Sequence, residues 1–269
     1  MTHAAAFPAS PDGERRPSVS GGPALLAQLS DPHIDIGPGD RGSAQALAAA
    51  VAAVLALRPL PDAVVITGDV ANGGAAGEYE RVHELLAPLA MPVHVLAGNH
   101  DDRDALRDRF AVPGSGPLQY VARCGDLRLV VCDTQRPGRD DGALDGGRLE
   151  WLEAQLAAEP DAPTIVAMHH PPVAIGLPVL DAIGVGEPDR VALGELLAQS
   201  PQVRRVVAGH VHRTVFGVHG GCSVFACAST HLQSPLEIGA RELRLVEERP
   251  VIALHVALDG GLVSHVQPV

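Results

Sequence analysis

The stretch Ala63-Val64-Val65-Ile66-Thr67-Gly68-Asp69 decides the fold, because an apolar, β-branched run breaks off at a glycine and a carboxylate. Comparable apolar runs, each ending in a polar cluster, occupy residues 24–33 and 92–101. Segment 43–57 is rich in Ala and Leu, and segment 76–89 has amphipathic spacing, so both predict helices. This β-α-β-α-β alternation with short connections predicts strands gathered in one sheet and flanked by helices.

The remainder of the chain predicts further strands and helices. Strands are expected over residues 119–123, 127–132, 164–168, 203–208, 215–218, 223–227, 242–247, 251–258 and 262–267, and helices over 146–159 and 187–199. Two of these strands lead into His169-His170 and Gly209-His210-Val211-His212. Polar clusters thus follow the carboxyl ends of strands, the edge where open α/β sheets place ligand sites. Five loops are therefore expected to meet at one site.

The polar clusters carry side chains that bind metal ions. Asp31 and His33 are two residues apart, so both face the same side of an extended segment. Gly98 permits a tight turn after its strand, just ahead of Asn99. Taken alone, each cluster is explained at least as well by a turn or by hydrogen-bonded histidines as by a metal site. Together they predict carboxylate, amide and imidazole ligands for two adjacent metal ions, an arrangement that phosphate-ester hydrolysis commonly uses.

Composition restricts the class of protein. The chain has 269 residues with 46% hydrophobic residues, enough for one large α/β domain over residues 23–269. The formal net charge of −12 argues against a basic face for duplex nucleic acid. No apolar run approaches the length of a membrane span. Residues 1–22 are expected to be a flexible tail without a signal-peptide core, which predicts a cytoplasmic protein.

The cysteines fit a reducing compartment. They form no CxxC pair, and three of them lie in apolar, strand-like segments. The expected state is therefore a set of buried, reduced thiols, with a disulfide between the last two as the alternative. The four residues are Cys124, Cys132, Cys222 and Cys227.

The ordered motifs D-x-H, G-D, G-N-H-D, H and G-H-x-H, between Ser30 and His212, resemble those of the calcineurin-like metallophosphoesterase superfamily. Segments 28–33, 68–72 and 169–172 further resemble bacterial class III cyclic-nucleotide phosphodiesterases, a subgroup that includes glycerophosphodiesterase-like enzymes. The resemblance implies an α/β (α+β) fold: a four-layer αββα sandwich of two mixed sheets with helices outside. Segments 174–188 and 232–269 are candidates for a cap or a homodimer contact.

The resemblance also implies a set of metal ligands. One ion would be held by Asp31, His33 and His212, the other by Asn99, His169 and His210, and Asp69 would bridge both. Mixed oxygen and nitrogen ligands suit Mn, Fe, Zn or Co, and the sequence does not choose among these metals.

Residues next to the ligands are candidates for catalysis and substrate binding. The resemblance places His100 against the substrate, where it would stabilise the phosphoryl group or protonate the leaving oxygen. Asp101 is a candidate for orienting His100, with a turn or helix cap as its alternative role. Asn72 and His231 are candidates for substrate contact. For His170 a structural role is favoured over a place at the rim of the site.

The predicted activity is that of a binuclear, metal-dependent phosphodiesterase acting on small phosphodiesters. Cyclic nucleotides such as 3′,5′-cAMP head the substrate classes, and glycerophosphodiesters come next. The same chemistry on phosphomonoesters, including phosphoproteins, is the enzymatic alternative. A scaffold that has lost its metals is the non-enzymatic alternative, and the complete ligand set argues against it.

Overall fold

The computed structural model describes residues 22–259 and 261–269. Apart from Gly22, the predicted N-terminal tail lies outside the described residues. The helices are α1 Ser43–Ala56, α2 Ala76–Leu86, α3 Arg103–Phe110, α4 Gly146–Ala158, α5 Pro178–Asp181 and α6 Glu187–Ala198. The strands are β1 Leu25–Leu29, β2 Ala63–Ile66, β3 Val93–Val95, β4 Tyr120–Cys124, β5 Leu127–Val131, β6 Thr164–Ala167, β7 Val203–Ala208, β8 Val215–His219, β9 Cys222–Ala226, β10 Leu232–Gln233, β11 Val246–Glu247, β12 Val251–Leu258 and β13 Gly261–Pro268.

These strands form two mixed sheets and a short ribbon. The five-stranded sheet has the order β13-β12-β1-β2-β3, in which β1, β2 and β3 are parallel and β12 and β13 pair antiparallel. The six-stranded sheet has the order β4-β5-β6-β7-β9-β8, with a parallel centre from β5 to β9. Each parallel centre gathers several carboxyl strand ends at one edge, and the polar loops leave from these ends.

Buried apolar clusters hold the layers together. The cluster between the sheets contains Leu26 and Val65 from one sheet and Leu129, Ile165 and Val207 from the other, all at most 1% exposed. The outer faces of the sheets are covered by helices. In the first helical layer α1, α2 and α3 supply Leu47, Tyr79 and Leu106, and in the second α4 and α6 supply Leu152 and Leu193. This arrangement confirms the predicted αββα sandwich.

Two helices were not predicted from the sequence, the four-residue α5 and the longer α3. Over Arg103–Phe110 charged residues dominate, so the apolar spacing that marks an amphipathic helix is hidden. The Asp102 carboxylate begins this helix by accepting hydrogen bonds from the N–H groups of Asp104 (3.0 Å) and Ala105 (2.9 Å). The helix is therefore specified by its cap and by the burial of Leu106.

The expected cap element over 232–269 is smaller than the sequence suggested. Strands β12 and β13 belong to the five-stranded sheet, where β12 pairs with β1. Only β10, β11 and their connection lie outside the two main sheets, and the strand predicted over 242–247 is confined to Val246–Glu247. The loop and ribbon from Leu232 to Glu247 are thus the part of this region that is available to cover a site.

The cysteines and the helices bear on the predictions of reduced thiols and of no membrane span. All four cysteines are buried free thiols, as predicted. Among the described helices, none has both the length and the apolarity needed to cross a bilayer.

Candidate metal centre

The polar loops meet at one edge of the two sheets. The loops after β1 and β2 run side by side, since the N–H of Asp31 donates to the carbonyl of Gly68 (3.2 Å). The loops after β6 and β7 are joined in the same way, since the N–H of Gly209 donates to the carbonyl of His169 (2.9 Å). Backbone hydrogen bonds therefore fix the relative positions of side chains that are far apart in sequence.

One group of predicted ligands consists of Asp31, His33, Asp69 and His212, whose ligand atoms all lie within 4.8 Å of one another. The His33 Nε2 atom lies 3.3 Å from Asp69 Oδ2 and 3.0 Å from His212 Nε2. The His212 Nε2 atom lies 3.7 Å from Asp31 Oδ1. These are the four side chains expected around one ion.

The second group lies directly beside the first. The amide oxygen of Asn99 is 3.0 Å from His169 Nε2 and 3.0 Å from His210 Nδ1. The His169 Nε2 atom is also 3.4 Å from Asp69 Oδ2, the same oxygen that faces His33. One carboxylate oxygen therefore lies between the two groups, where a bridging ligand would lie.

His170 lies near the second group, but both nitrogens of its ring are hydrogen-bonded to residues outside that group. Its Nδ1 atom is 2.8 Å from the hydroxyl oxygen of Thr134, and its Nε2 atom is 3.0 Å from the carbonyl oxygen of Asp140. Burial lowers the pKa of the ring to about 3, so it is neutral. His170 also forms a group of possible ligand atoms with His169 and His210. The bonds to Thr134 and Asp140 use both of its ring nitrogens, so its surroundings favour the predicted structural role.

The donor set fits metal ions. His169 Nδ1 is 2.8 Å from the carbonyl of Thr67, and His212 Nδ1 is 2.7 Å from the carbonyl of Leu232. Because a carbonyl only accepts, each Nδ1 carries a proton, and each ring turns its Nε2 atom toward the clustered ligands, where it offers a lone pair once that nitrogen is deprotonated. His210 Nε2 is buried and has no hydrogen-bond partner among the described residues. The Nε2 atoms of His33 and His169 lie 3.3 Å and 3.4 Å from Asp69 Oδ2, and imidazole nitrogens beside a carboxylate are donors that divalent cations select.

The charges in the cluster are strongly coupled. Burial alone would raise the pKa of Asp69, but the rings of His169 and His33 hold it well below its usual range. Burial alone would lower the pKa of His169, yet the neighbouring Asp69 raises it to about 9. Burial raises the pKa of Asp31 to about 6. For His212, burial and the neighbouring His33 ring together lower the pKa to about 3. Bound cations would favour the deprotonated form of all these groups.

Most of the predicted ligands adopt an unusual backbone conformation. Five of them have a positive φ: Asp31 (49°), His33 (44°), Asp69 (48°), His210 (69°) and His212 (48°). The left-handed region costs an L-residue about 1–2 kcal/mol, so such residues persist only where neighbouring structure holds them. The interlocked loops provide that support, and the strain is concentrated at the candidate centre.

Close contact between the loops explains two glycines of the motifs. A Cβ atom on Gly98 would lie 2.1 Å from Asp69 Oδ1, and a Cβ atom on Gly68 would lie 2.4 Å from His169 Nδ1. Gly68 also has a φ of +88°, which favours glycine. At both positions a side chain would occupy space that the structure gives to a ligand of a neighbouring loop.

Two supporting residues were missed from the sequence. The Ser30 hydroxyl donates to Asp31 Oδ2 (2.5 Å) and lies 2.7 Å from the hydroxyl of Thr67. The N–H of His210 donates to Asp31 Oδ1 (3.0 Å). Ser30 lies in the quoted segment 28–33 and Thr67 directly precedes Gly68, so both were within reach of a motif-based prediction.

The position of Asp101 differs from the prediction that it orients the His100 ring. Its carboxylate is buried and holds the turns that carry Asp69 and Asn99, since it collects hydrogen bonds from both turns. Its partners are the N–H groups of Val70, Ala71 and Gly98 (2.8 to 3.1 Å) and the hydroxyl of Tyr79 (3.1 Å).

The His100 ring is oriented by a backbone carbonyl. Its Nδ1 atom is 2.8 Å from the carbonyl oxygen of Asn72, and its ring packs edge-on against His33 with centroids 4.6 Å apart. The N–H of His100 donates to Asp69 Oδ1 (3.0 Å). His100 therefore lies at the exposed side of the ligand cluster, with Nε2 as the ring nitrogen left for a substrate.

A cleft of about 410 Å³ opens over the cluster. Asn72 and His231, the two predicted substrate contacts, both line it. His231 Nε2 is 3.3 Å from the carbonyl of Arg41, and Asn72 Nδ2 is 3.4 Å from Asp35 Oδ2. Their contact with substrate stays a prediction. The other polar lining residues are His33, Asp69, Asn99, His100, Asp140, His210 and His212.

The sandwich fold and the clustered donors define the class of protein as a metallophosphoesterase. The sequence profile of the calcineurin-like phosphoesterases matches residues 24–214, and the chain belongs to this family. Calcineurin-like phosphoesterases use a dimetal centre, and the two adjacent ligand groups correspond to such a centre.

Relatives with assigned activities cover most of the chain. A 3′,5′-cyclic adenosine monophosphate phosphodiesterase, CpdA, of Pseudomonas aeruginosa is 35% identical over 78% of this chain and 77% of its own length. A cAMP/cGMP dual specificity phosphodiesterase of Mycobacterium tuberculosis is 34% identical over 75% of this chain and 68% of its own length. A probable glycerophosphodiester phosphodiesterase, GpdQ, of Arcobacter nitrofigilis is 32% identical over 78% of this chain and 78% of its own length.

Solved structures agree on the fold. A dimetal phosphatase from Danio rerio superposes with a TM-score of 0.66, covering 90% of this chain and 98% of its own, at 16% identity. At that identity the likeness concerns architecture alone.

We predict that Gly98→Ala disrupts the metal centre. The new Cβ atom would collide with Asp69 Oδ1 and with the Asp69 backbone nitrogen at 2.4 Å, so the carboxylate must move. Metal affinity, measured by elemental analysis after equilibrium dialysis against manganese, is expected to fall about 10- to 100-fold. The control is Gly39→Ala, where an added Cβ atom meets nothing within 4 Å. Unchanged manganese affinity in Gly98→Ala would contradict the proposed position of Asp69.

Proposed function

We propose that the chain hydrolyses small phosphate diesters at a centre of two metal ions, with 3′,5′-cyclic nucleotides such as cAMP as the first substrate class. One observation carries the proposal: Asp69 Oδ2 lies 3.3 Å from His33 Nε2 and 3.4 Å from His169 Nε2. A single carboxylate is thereby shared by two adjacent groups of ligands. The relatives named for cyclic-nucleotide hydrolysis support the choice of substrate.

The proposed ligand set follows from the two groups. When bound, two such ions supply an activated water and neutralise charge on the phosphoryl group. Mixed oxygen and nitrogen donors suit Mn, Fe, Zn or Co. Asp31, His33 and His212 would hold one ion, Asn99, His169 and His210 the other, and Asp69 would bridge them.

His100 is the proposed catalytic residue. Its Nδ1 proton is engaged by the carbonyl of Asn72, so Nε2 is the atom available to the substrate. Nε2 donates a hydrogen bond only when the ring is protonated, which suits a group that transfers a proton to a leaving alkoxide. Asp101 would act as a positioning residue, since it holds the turns that carry Asp69 and Asn99.

The charge of the cleft favours diesters over monoesters. Among the described lining residues there is no arginine, and the sequence contains no lysine. A monoester dianion carries twice the charge of a diester and gains most from additional cationic side chains. Asp140, which also lines the cleft, would repel the dianion more strongly. A diester monoanion therefore matches this cleft better.

Glycerophosphodiesters are the second candidate substrate class, supported by the relative named for that activity. The net charge of −12 and the small cleft argue for a small substrate rather than duplex nucleic acid. The cytoplasmic location and the homodimer stay predictions.

The direct test compares esters under identical conditions. We expect the manganese-loaded protein to hydrolyse cAMP and bis(p-nitrophenyl) phosphate, and to prefer the latter to p-nitrophenyl phosphate by kcat/KM. Asp69→Ala is the control, because both ions lose a shared anionic ligand and turnover should vanish. A large preference for the monoester, or full activity in Asp69→Ala, would contradict the proposal.

His100→Ala separates catalysis from metal binding. If His100 protonates the leaving oxygen, its loss should slow cAMP hydrolysis about 100-fold or more, as is typical of general acids. Hydrolysis of bis(p-nitrophenyl) phosphate should fall much less, because p-nitrophenolate leaves without a proton. Metal content should stay near normal. Equal losses on both diesters would refute the role as acid.

A further inference from the structure

Part of the lining of the cleft is aliphatic. Besides Val211, which lies between two predicted ligands in the sequence, five aliphatic residues line the cleft, and they come from two separate segments of the chain. Leu180 and Ile183 come from α5 and the turn after it, and Leu232, Leu243 and Leu245 come from β10 and the loop before β11. We refer to these five residues as the aliphatic wall.

One residue of the aliphatic wall is hydrogen-bonded to a predicted metal ligand. The carbonyl of Leu232 accepts the hydrogen bond from His212 Nδ1 (2.7 Å), and the N–H of Ser234 donates to the carbonyl of His212 (2.9 Å). The Asp181 carboxylate at the end of α5 accepts from the N–H of Ile175 (2.7 Å), which ties α5 to the segment before it. Leu232 therefore keeps a defined position relative to the ligands.

The wall leaves apolar surface exposed inside the cleft. Leu243 is 49% exposed, and Ile183, Leu232 and Leu245 are partly exposed. Each square ångström of apolar surface removed from water contributes roughly 25 cal/mol. A ligand with an apolar face would cover this surface, whereas glycerol, which is hydrogen-bonded to water through its hydroxyl groups, would gain little from it.

We propose that the aliphatic wall binds the nucleobase of a nucleoside phosphodiester and thereby selects nucleoside diesters over glycerol diesters. The proposal rests on the proposed function, because a choice between nucleoside diesters and glycerol diesters requires that the centre hydrolyses diesters. Both parts belong to one cleft, whose volume of about 410 Å³ is within the range of small-molecule pockets. The described lining contains no Phe, Tyr or Trp, so contact at the wall itself is made by aliphatic packing.

The test replaces one wall residue by a polar residue of similar size. In Leu243→Asn, we expect kcat/KM for cAMP to fall about tenfold, mainly through KM, as for the loss of one apolar contact. Turnover of glycero-3-phosphoethanolamine should stay within about twofold, since its alcohols gain little from the wall. The matched control is Ile238→Asn, in the same loop, where the side chain is 80% exposed and does not line the cleft. It should leave both activities unchanged.

Binding of adenosine, followed by NMR titration, tests the wall without turnover. Wild-type protein should bind adenosine about tenfold more tightly than Leu243→Asn does. If the wild-type protein hydrolyses no diester, the proposed function fails, and the adenosine titration still decides the role of the wall. Equal losses on cAMP and glycero-3-phosphoethanolamine in Leu243→Asn, or equal adenosine affinities, would overturn the proposal.

Discussion

The rest of the structure depends on the buried carboxylate of Asp69 between two groups of imidazoles. A carboxylate that is 2% exposed is stable there only if positive charge lies beside it. His33 and His169 face the same carboxylate oxygen, and their charges hold the pKa of Asp69 below its usual range. Metal ions would supply that charge more strongly, because they bind the deprotonated forms of all the ligands. The left-handed backbone of five predicted ligands is compatible with the fold because neighbouring loops hold one another.

The two sheets are joined by polar contacts directly beneath this site. Gln28 of β1 is fully buried, and its amide nitrogen donates to the hydroxyl of Thr67 (3.0 Å) and to the carbonyl of Ala208 in β7 (2.9 Å). Its amide oxygen lies 2.9 Å from Nε2 of His255, in β12. A satisfied buried network of this kind fixes the relative position of the sheets more narrowly than apolar packing alone. It therefore links the architecture of the sandwich to the geometry of the ligands.

Much of this could be predicted from the sequence because strand ends and ligand types coincide along the chain. The apolar runs that precede Asp31, Asp69 and Gly98 predict both the strands of a sheet and the edge at which the site lies. A turn was the alternative role predicted for Asp101, but its particular partners could not be predicted, because they are backbone amides that only the folded turns bring together. The place of Leu243 and Leu245 in the cleft could not be predicted either, because their alternating pattern predicted a strand over 242–247, whereas the strand is confined to Val246–Glu247.

The central claim is that Asp69 joins two metal ions, and anomalous diffraction from crystals of the manganese-loaded protein tests it most directly. The account predicts two anomalous peaks per chain, one beside His33 and His212 and one beside Asn99 and His210, with the Asp69 carboxylate in contact with both. A single peak, or a second peak out of contact with Asp69, would contradict it.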